Sequence, residues 1–143
     1  MRLRIKRLDK GIPMPEYANP GDAGFDLRAT EDVAINPRET VMVGTGIAVE
    51  IPEGHVGLVF PRSGLASKKG VSLANCVGVV DSGYRGEVKL PLRNAGRDAV
   101  CVSRGVRCAQ MVVVPYAACE LMESDELADT ERGAGGFGSS GFM

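Results

Sequence analysis

The sequence predicts an all-β sandwich or barrel. Apolar residues alternate with polar ones over many short runs, Gly and Pro punctuate the gaps, and almost no stretch shows a helical period. The 143-residue chain holds 19 Gly and 8 Pro and has no Trp. That length suits one domain, with a core that needs neither disulfide nor metal. A formal net charge of −1 provides no positive field to recruit nucleic acid or an anionic membrane. No apolar run approaches the ~20 residues of a membrane-spanning helix and no signal-peptide pattern opens the chain, so a cytoplasmic location is expected. Cys76, Cys101, Cys108 and Cys119 lack C-x-x-C spacing, and His55 is the only histidine. All four thiols are therefore expected to be small buried hydrophobes, not zinc ligands or a disulfide framework.

Taken in order, Arg2 to Leu8 alternates basic and apolar residues, as a strand with one wet face does. A connection rich in proline (Pro13, Pro15, Pro20) leads to Asp22 through Leu27. Thr40 to Ile51 and His55 to Phe60 read as strands joined by a turn at Pro52-Glu53-Gly54. Val71 to Val80 is nearly continuously apolar around Asn75, like a buried strand. In Glu87 to Leu92, Val88, Leu90 and Leu92 share one face, while Pro91 predicts an edge or a bulge. Asn94 to Arg97 reads as a turn and Gln110 to Leu121 as the last long β-rich run. Helix is expected only at Ser63 to Lys69 and at Ser124 to Ala128.

Five stretches carry chemistry. Gly78 through Val88 reads as a β-hairpin with an Asp81-Ser82-Gly83-Tyr84 corner, which would hold a carboxylate and an aromatic ring on paired strands. Gly83 is expected to take positive φ, and Gly86 to admit a close approach to the backbone. Pro61-Arg62-Ser63-Gly64-Leu65-Ala66 has the makings of an anion site: a hydroxyl, N–H groups opening a helical turn, and a guanidinium. Arg104 through Gln110 could add a further cation and an amide. Asp22 and Asp26 are candidate outer partners of a hard cation, too few for an all-protein Mg²⁺ cage but suited to a Mg²⁺ brought in by phosphates. In the tail, five of the last eleven residues are Gly. It reads as a disordered end, or as a lid ordering over a polyphosphate through Arg132, Phe137, Ser139 and Ser140. A P-loop is not expected, because no Lys follows the glycines.

Five of these segments together resemble the ordered motifs of the trimeric dUTP diphosphatases (dUTPases). They are Ala23-Gly24-Phe25-Asp26-Leu27, Pro61 to Ala66, Gly78 to Glu87, Arg107-Cys108-Ala109-Gln110 and Arg132 to Gly141, in family order. The resemblance implies a jelly-roll-type β-barrel over residues 1–131 and a flexible Gly-rich tail over 132–143 that closes on the active site. It also implies a homotrimer with active sites at subunit interfaces, and Mg²⁺-assisted hydrolysis of dUTP to dUMP and pyrophosphate. That activity limits uracil incorporation into DNA and supplies dUMP for thymidylate synthesis.

By match to the motifs, Asp81 would be the general base for water attacking the α-phosphorus. Tyr84 would pack on the deoxyribose and leave no room for a 2′-hydroxyl. Asn75, with backbone groups of Val79 and Val80, would read uracil, and Lys89 would contact the nucleotide. Ser63 would bond near the α–β bridging oxygen, with Arg62, Gly64 and Gln110 on the phosphate chain. Asp26 would steady a water on Mg²⁺. Phe137 would stack on uracil while Arg132, Gly138 and Ser139 close over the distal phosphates.

Departures from the family pattern are few. Phe25 stands where Tyr is common, Gly83 replaces a frequent Asp, and Val106 and Cys108 replace a usual Asp and Ile, which leaves support around Gln110 open. Two rival readings remain: a dCTP deaminase of the same fold, alone or bifunctional, for which the motifs offer no extra Glu beyond Glu87 and against which the Phe137-bearing tail speaks, and a non-catalytic nucleotide sensor, which would have no need of Asp81 or the tail.

Overall fold

The structure, a computed structural model, describes residues 1–137 and 139. Eleven strands and one short helix follow in the order β1 (Arg4–Arg7), β2 (Phe25–Arg28), β3 (Val33–Ile35), β4 (Thr40–Gly44), β5 (Ile47–Glu50), β6 (His55–Pro61), α1 (Ser63–Lys69), β7 (Val71–Leu73), β8 (Gly78–Val80), β9 (Lys89–Asn94), β10 (Val100–Val102) and β11 (Arg107–Pro115). They pair as β2-β11-β6-β8, β4-β9-β7, β1-β5 and β10-β3, and all pairs are antiparallel. One apolar cluster unites the sheets, with Leu27, Ile35, Val43, Ile47, Val71, Leu90, Leu92 and Met111 almost wholly buried. This is the all-β, jelly-roll-like arrangement that was expected, built of separate sheets facing one core, not of a single closed ladder.

Alternation places the core correctly from Val88 into β9, and Val88, Leu90 and Leu92 are all buried. At Ser63–Lys69 the expected helix forms, and Gly70 ends it at φ 68, a left-handed position where glycine carries no Cβ penalty. No helix forms at residues 124–128. That stretch is exposed, with Leu127 at 88% of its full accessibility, so no packing offsets the cost of nucleating a helix.

Several strand boundaries differ from expectation for tertiary reasons. Thr40 to Ile51 is two strands, because Gly46 takes φ 68 and its carbonyl turns to accept from Leu8 N at 2.7 Å. Val71 to Val80 is likewise two strands. A turn closed by Cys76 N on Leu73 O at 3.0 Å sends β7 to β9 and β8 to β6. The expected hairpin at residues 78–88 is therefore a crossover: its arms belong to different sheets and do not pair with each other.

Pro91 lies in the central strand of its sheet, not at an edge. Its carbonyl accepts from Ala74 N at 2.8 Å, so its ring nitrogen faces the same side, past the last residue of β7, where no ladder bond is lost. The last strand begins at Arg107 and stops at Pro115, short of Leu121. Cys108 alone among the thiols is buried; Cys76, Cys101 and Cys119 are exposed, contrary to expectation, since they sit on turns, an outward strand face and an unpacked segment.

Candidate functional site

The β7–β8 turn and the 81–88 crossover enclose a cavity of about 340 Å³. Asn75, Val79, Val80, Asp81, Tyr84 and Lys89 all line it, over a floor that includes Val59, Leu73 and Leu90. Six of the expected site residues thus converge on one concave surface of nucleoside size, polar at the rim and apolar beneath. Gly78 permits the approach of β8 to β6, because a Cβ there would stand 3.2 Å from that of Val59.

The crossover is braced along its length. Tyr84 N donates to Asp81 O at 3.1 Å and closes a turn around the carboxylate. The Arg85 guanidinium donates to Ser82 O at 2.6 Å. Gly46 N donates to Glu87 Oε1 at 2.9 Å, and Val88 N to Ile47 O at 2.9 Å. Asp81 is accordingly an exposed carboxylate on a fixed frame, which is what a positioned base needs. Gly83 does not take positive φ, and a Cβ there would meet nothing within 4 Å. The expectation for Gly83 fails because the turn is closed by hydrogen bonds that any residue at 83 can accommodate.

A second cavity, of about 370 Å³, lies where β2, β11 and the β6–α1 junction meet. Asp22, Asp26, Arg62, Ser63 and Gln110 line it. Arg62 is extended at φ −90 and ψ 133, so β6 ends there and Ser63 opens α1 with no side chain capping its first turn. Ser63 and Gly64 are exposed, their N–H groups turned outward at the positive end of the helix. Asp26 is 7% exposed, with Arg62 Nε 3.0 Å from Oδ1 and Arg107 Nη1 3.1 Å from Oδ2. Gln110 donates through Nε2 to Pro61 O at 3.2 Å, and Gly24 makes room for it, since a Cβ there would be 2.8 Å from Gln110 Oε1.

The two cavities share no residue. Val80 is opposite Gly57 in the β6–β8 pair, whereas Ser63 follows the far end of β6. From the level of Asp81 to Ser63 is therefore roughly 20 Å at the usual rise of a strand. Arg132, Phe137 and Ser139 line neither cavity; Arg132 Nε donates to Gly135 O at 2.7 Å, and Phe137 is fully exposed. Gly138 and Ser140 lie outside the described residues.

The family model described as dUTPase matches residues 10–141. The chain belongs to the dUTPase family. A deoxyuridine 5'-triphosphate nucleotidohydrolase of Nocardia farcinica is 54% identical over 138 residues, covering 96% of this chain and 84% of that protein. The one of Clostridium kluyveri is 46% identical over 143 residues and covers all of both chains. The structure also superposes on that of the Staphylococcus bacteriophage 80alpha dUTPase with dUPNHPP, at a TM-score of 0.92 and 33% identity over 98% of each chain.

Within this dUTPase the departures at Val106 and Cys108 are accommodated. Val106 O accepts from Ala29 N at 3.0 Å, and Cys108 packs in the core with Sγ 3.6 Å from Leu27 O. Gln110 is therefore held by backbone pairing on both sides of β11. Sequence reasoning missed the part of Arg107 in gripping Asp26. A register shift between Arg107 and Ala109 re-aims that arginine, and strand alternation alone does not reveal such a bulge.

Proposed function

We propose that this dUTPase hydrolyses dUTP to dUMP and pyrophosphate at a site that a second copy of the chain completes. The observation that carries the shared site is the roughly 20 Å of β6 between Asp81 and Ser63. A base acting at the α-phosphorus and a hydroxyl bonded beside that phosphorus have to lie within a few ångströms of the same atom. One chain cannot supply both to one dUTP. The nucleoside cavity of one copy facing the phosphate cavity of another satisfies the requirement, and a closed ring of three such contacts gives a homotrimer with three equivalent sites.

In this reading uracil enters between Asn75 and the backbone of Val79 and Val80, which line the cavity, with Lys89 beside it, and the deoxyribose lies on Tyr84. Asp81 takes a proton from water held in line with the α-phosphorus, a role that typically contributes on the order of 10²–10⁴ in rate. Ser63, Gly64, Arg62 and Gln110 of the second copy hold the phosphate chain, and alignment with charge neutralisation supplies the rest. Arg132, Phe137, Gly138 and Ser139 belong to a tail, residues 132–143, that closes over the bound nucleotide. Glu87 is occupied by Gly46 N, which counts against a deaminase that would need it to shuttle protons.

The donor set fits Mg²⁺ only in an outer role. Among the described residues no three His, Cys, Asp or Glu side chains cluster to hold a metal, and both Asp26 oxygens face guanidinium groups. Asp26, with Gln110 nearby, would accept a hydrogen bond from a water on a Mg²⁺ carried in by the triphosphate, and that ion would supply charge neutralisation. No helix among the described residues is long and apolar enough to cross a membrane. We read the protein as a cytoplasmic enzyme that acts on free nucleotide, in keeping with the dUTPase activity proposed for it.

Complementation tests the shared site. Asp81→Asn and Ser63→Ala chains, each inactive alone, are unfolded together and refolded as a mixture. If the two residues serve one site from different copies, about a quarter of the sites become intact and activity returns to that extent. A mixture as inactive as its components would refute the shared site.

A further inference from the structure

We infer that Gly86 and Glu87 are specificity-determining positioning residues: they seat the ring of Tyr84, and so set how firmly the enzyme refuses a ribonucleotide. The inference rests on the proposal that Tyr84 faces the sugar. Tyr84 Oη donates to Glu87 O at 2.8 Å. A Cβ built on Gly86 would stand 2.5 Å from Oη, 2.6 Å from Cζ and 3.0 Å from Cε2 of the same ring. The phenol thus rests directly on the bare α-carbon of Gly86 while its tip is tied to the next carbonyl.

That carbonyl is itself fixed. Glu87 Oε1 accepts from Gly46 N at 2.9 Å, Val88 O accepts from Thr45 Oγ1 at 2.6 Å, and Val88 N donates to Ile47 O at 2.9 Å. The seat is therefore built on the β4–β5 junction rather than on the loop alone. Refusal of a 2′-hydroxyl by an aromatic wall is steric, and a wall that swings aside refuses nothing. Tyr84 is 45% exposed along the cavity, so no other packing against its outer side holds it in place. Any side chain at position 86 has to push the ring toward the sugar or away from its tether. The cost to folding is small, because the atoms displaced are the far end of one exposed side chain.

Gly83 is the internal control, in the same loop but with open space where its Cβ would be. The experiment measures kcat/KM for dUTP and for UTP in the parent, Gly86→Ala, Gly83→Ala, Tyr84→Phe and Tyr84→Ala proteins. Gly86→Ala is expected to lower the dUTP:UTP ratio by about tenfold or more, and Tyr84→Phe, which cuts only the tether, by about threefold. Gly83→Ala is expected to keep the parental ratio. If Tyr84→Ala loses discrimination while Gly86→Ala and Tyr84→Phe keep it, the seat is refuted and the sugar-facing role of Tyr84 stands. If Tyr84→Ala also keeps it, that role fails and the seat with it. Should Gly86→Ala not fold, Tyr84→Phe decides the matter: a parental ratio there refutes the seat.

Discussion

Arg107 reaches across the β2–β11 pair to place Nη1 3.1 Å from Oδ2 of Asp26, whose other oxygen is held by Arg62. One nearly buried carboxylate thus binds two guanidiniums, leaving these three side chains with a net positive charge beside the second cavity. The ion pairs also hold the Arg62 side chain in place. Asp26→Asn should cost about 2 kcal/mol or more in urea unfolding, because it leaves two cations facing each other without their counter-charge. Arg107→Met should cost about 1 kcal/mol or less, since 41% of that side chain is in water. Equal midpoints for both variants and the parent would show that the cluster adds nothing to stability.

Asp81→Asn is expected to lower kcat by on the order of 10²–10⁴ while leaving the affinity for a non-hydrolysable dUTP analogue close to that of the parent. The exchange preserves shape and removes the basic oxygen. Calorimetric titration and single-turnover hydrolysis measure the two effects separately. Turnover at the parental rate would remove Asp81 from its proposed role.

Ending the chain after Arg132 should impair turnover far more than folding. Beyond β11 the described residues belong to no strand or helix, and Phe137, which the cut removes, is exposed and outside the core. Thermal unfolding of the shortened protein should match the parent within about 2 °C, with kcat/KM reduced by about tenfold or more. Full activity in the shortened protein would show that the tail has no part in closure.

Cys108 gives the fold a pH dependence on the alkaline side. Burial pushes its thiol up to about 12 from an ordinary 9.0. The folded protein keeps the proton while the unfolded chain releases it above pH 9, so the unfolded state binds fewer protons between those values. The thiol's contribution is intact below pH 9 and is lost as pH rises toward 12, at about 1.4 kcal/mol per pH unit. Cys108→Ala should be less stable than the parent at pH 7.5, and the gap should narrow by about 1–2 kcal/mol at pH 10.5. A gap that stays constant across that range would contradict the assignment.

Much of the site's chemistry is legible in residue order. Asn75, Val79, Val80, Asp81, Tyr84 and Lys89 stand close together in the chain, and the structure brings them to one cavity. Ser63 to Lys69 is a helix in sequence and in structure because its turn residues and local bonds suffice. Long-range pairing is what local pattern does not reveal. Whether the arms around Asp81 pair with each other or with β6 and β4 depends on partners some twenty or more residues away. Likewise Asn94, at the start of an expected turn, is fully buried, with Nδ2 bonded to Ile35 O and Asp98 O at 2.9 and 2.8 Å, contacts that no local pattern reveals.

Sequence by itself determined which groups are available: a carboxylate and a phenol a few residues apart, a hydroxyl beside a guanidinium at the start of a short helix, and a glycine-rich end. Tertiary structure alone decided their placement. Pairing β8 and β11 on either side of β6 puts Asp81 level with one end of that strand and the turn at Ser63 beyond the other. The physical reason is register. Alternation along a strand says which way a side chain points, but only the partner strand says how far along the sheet it lies.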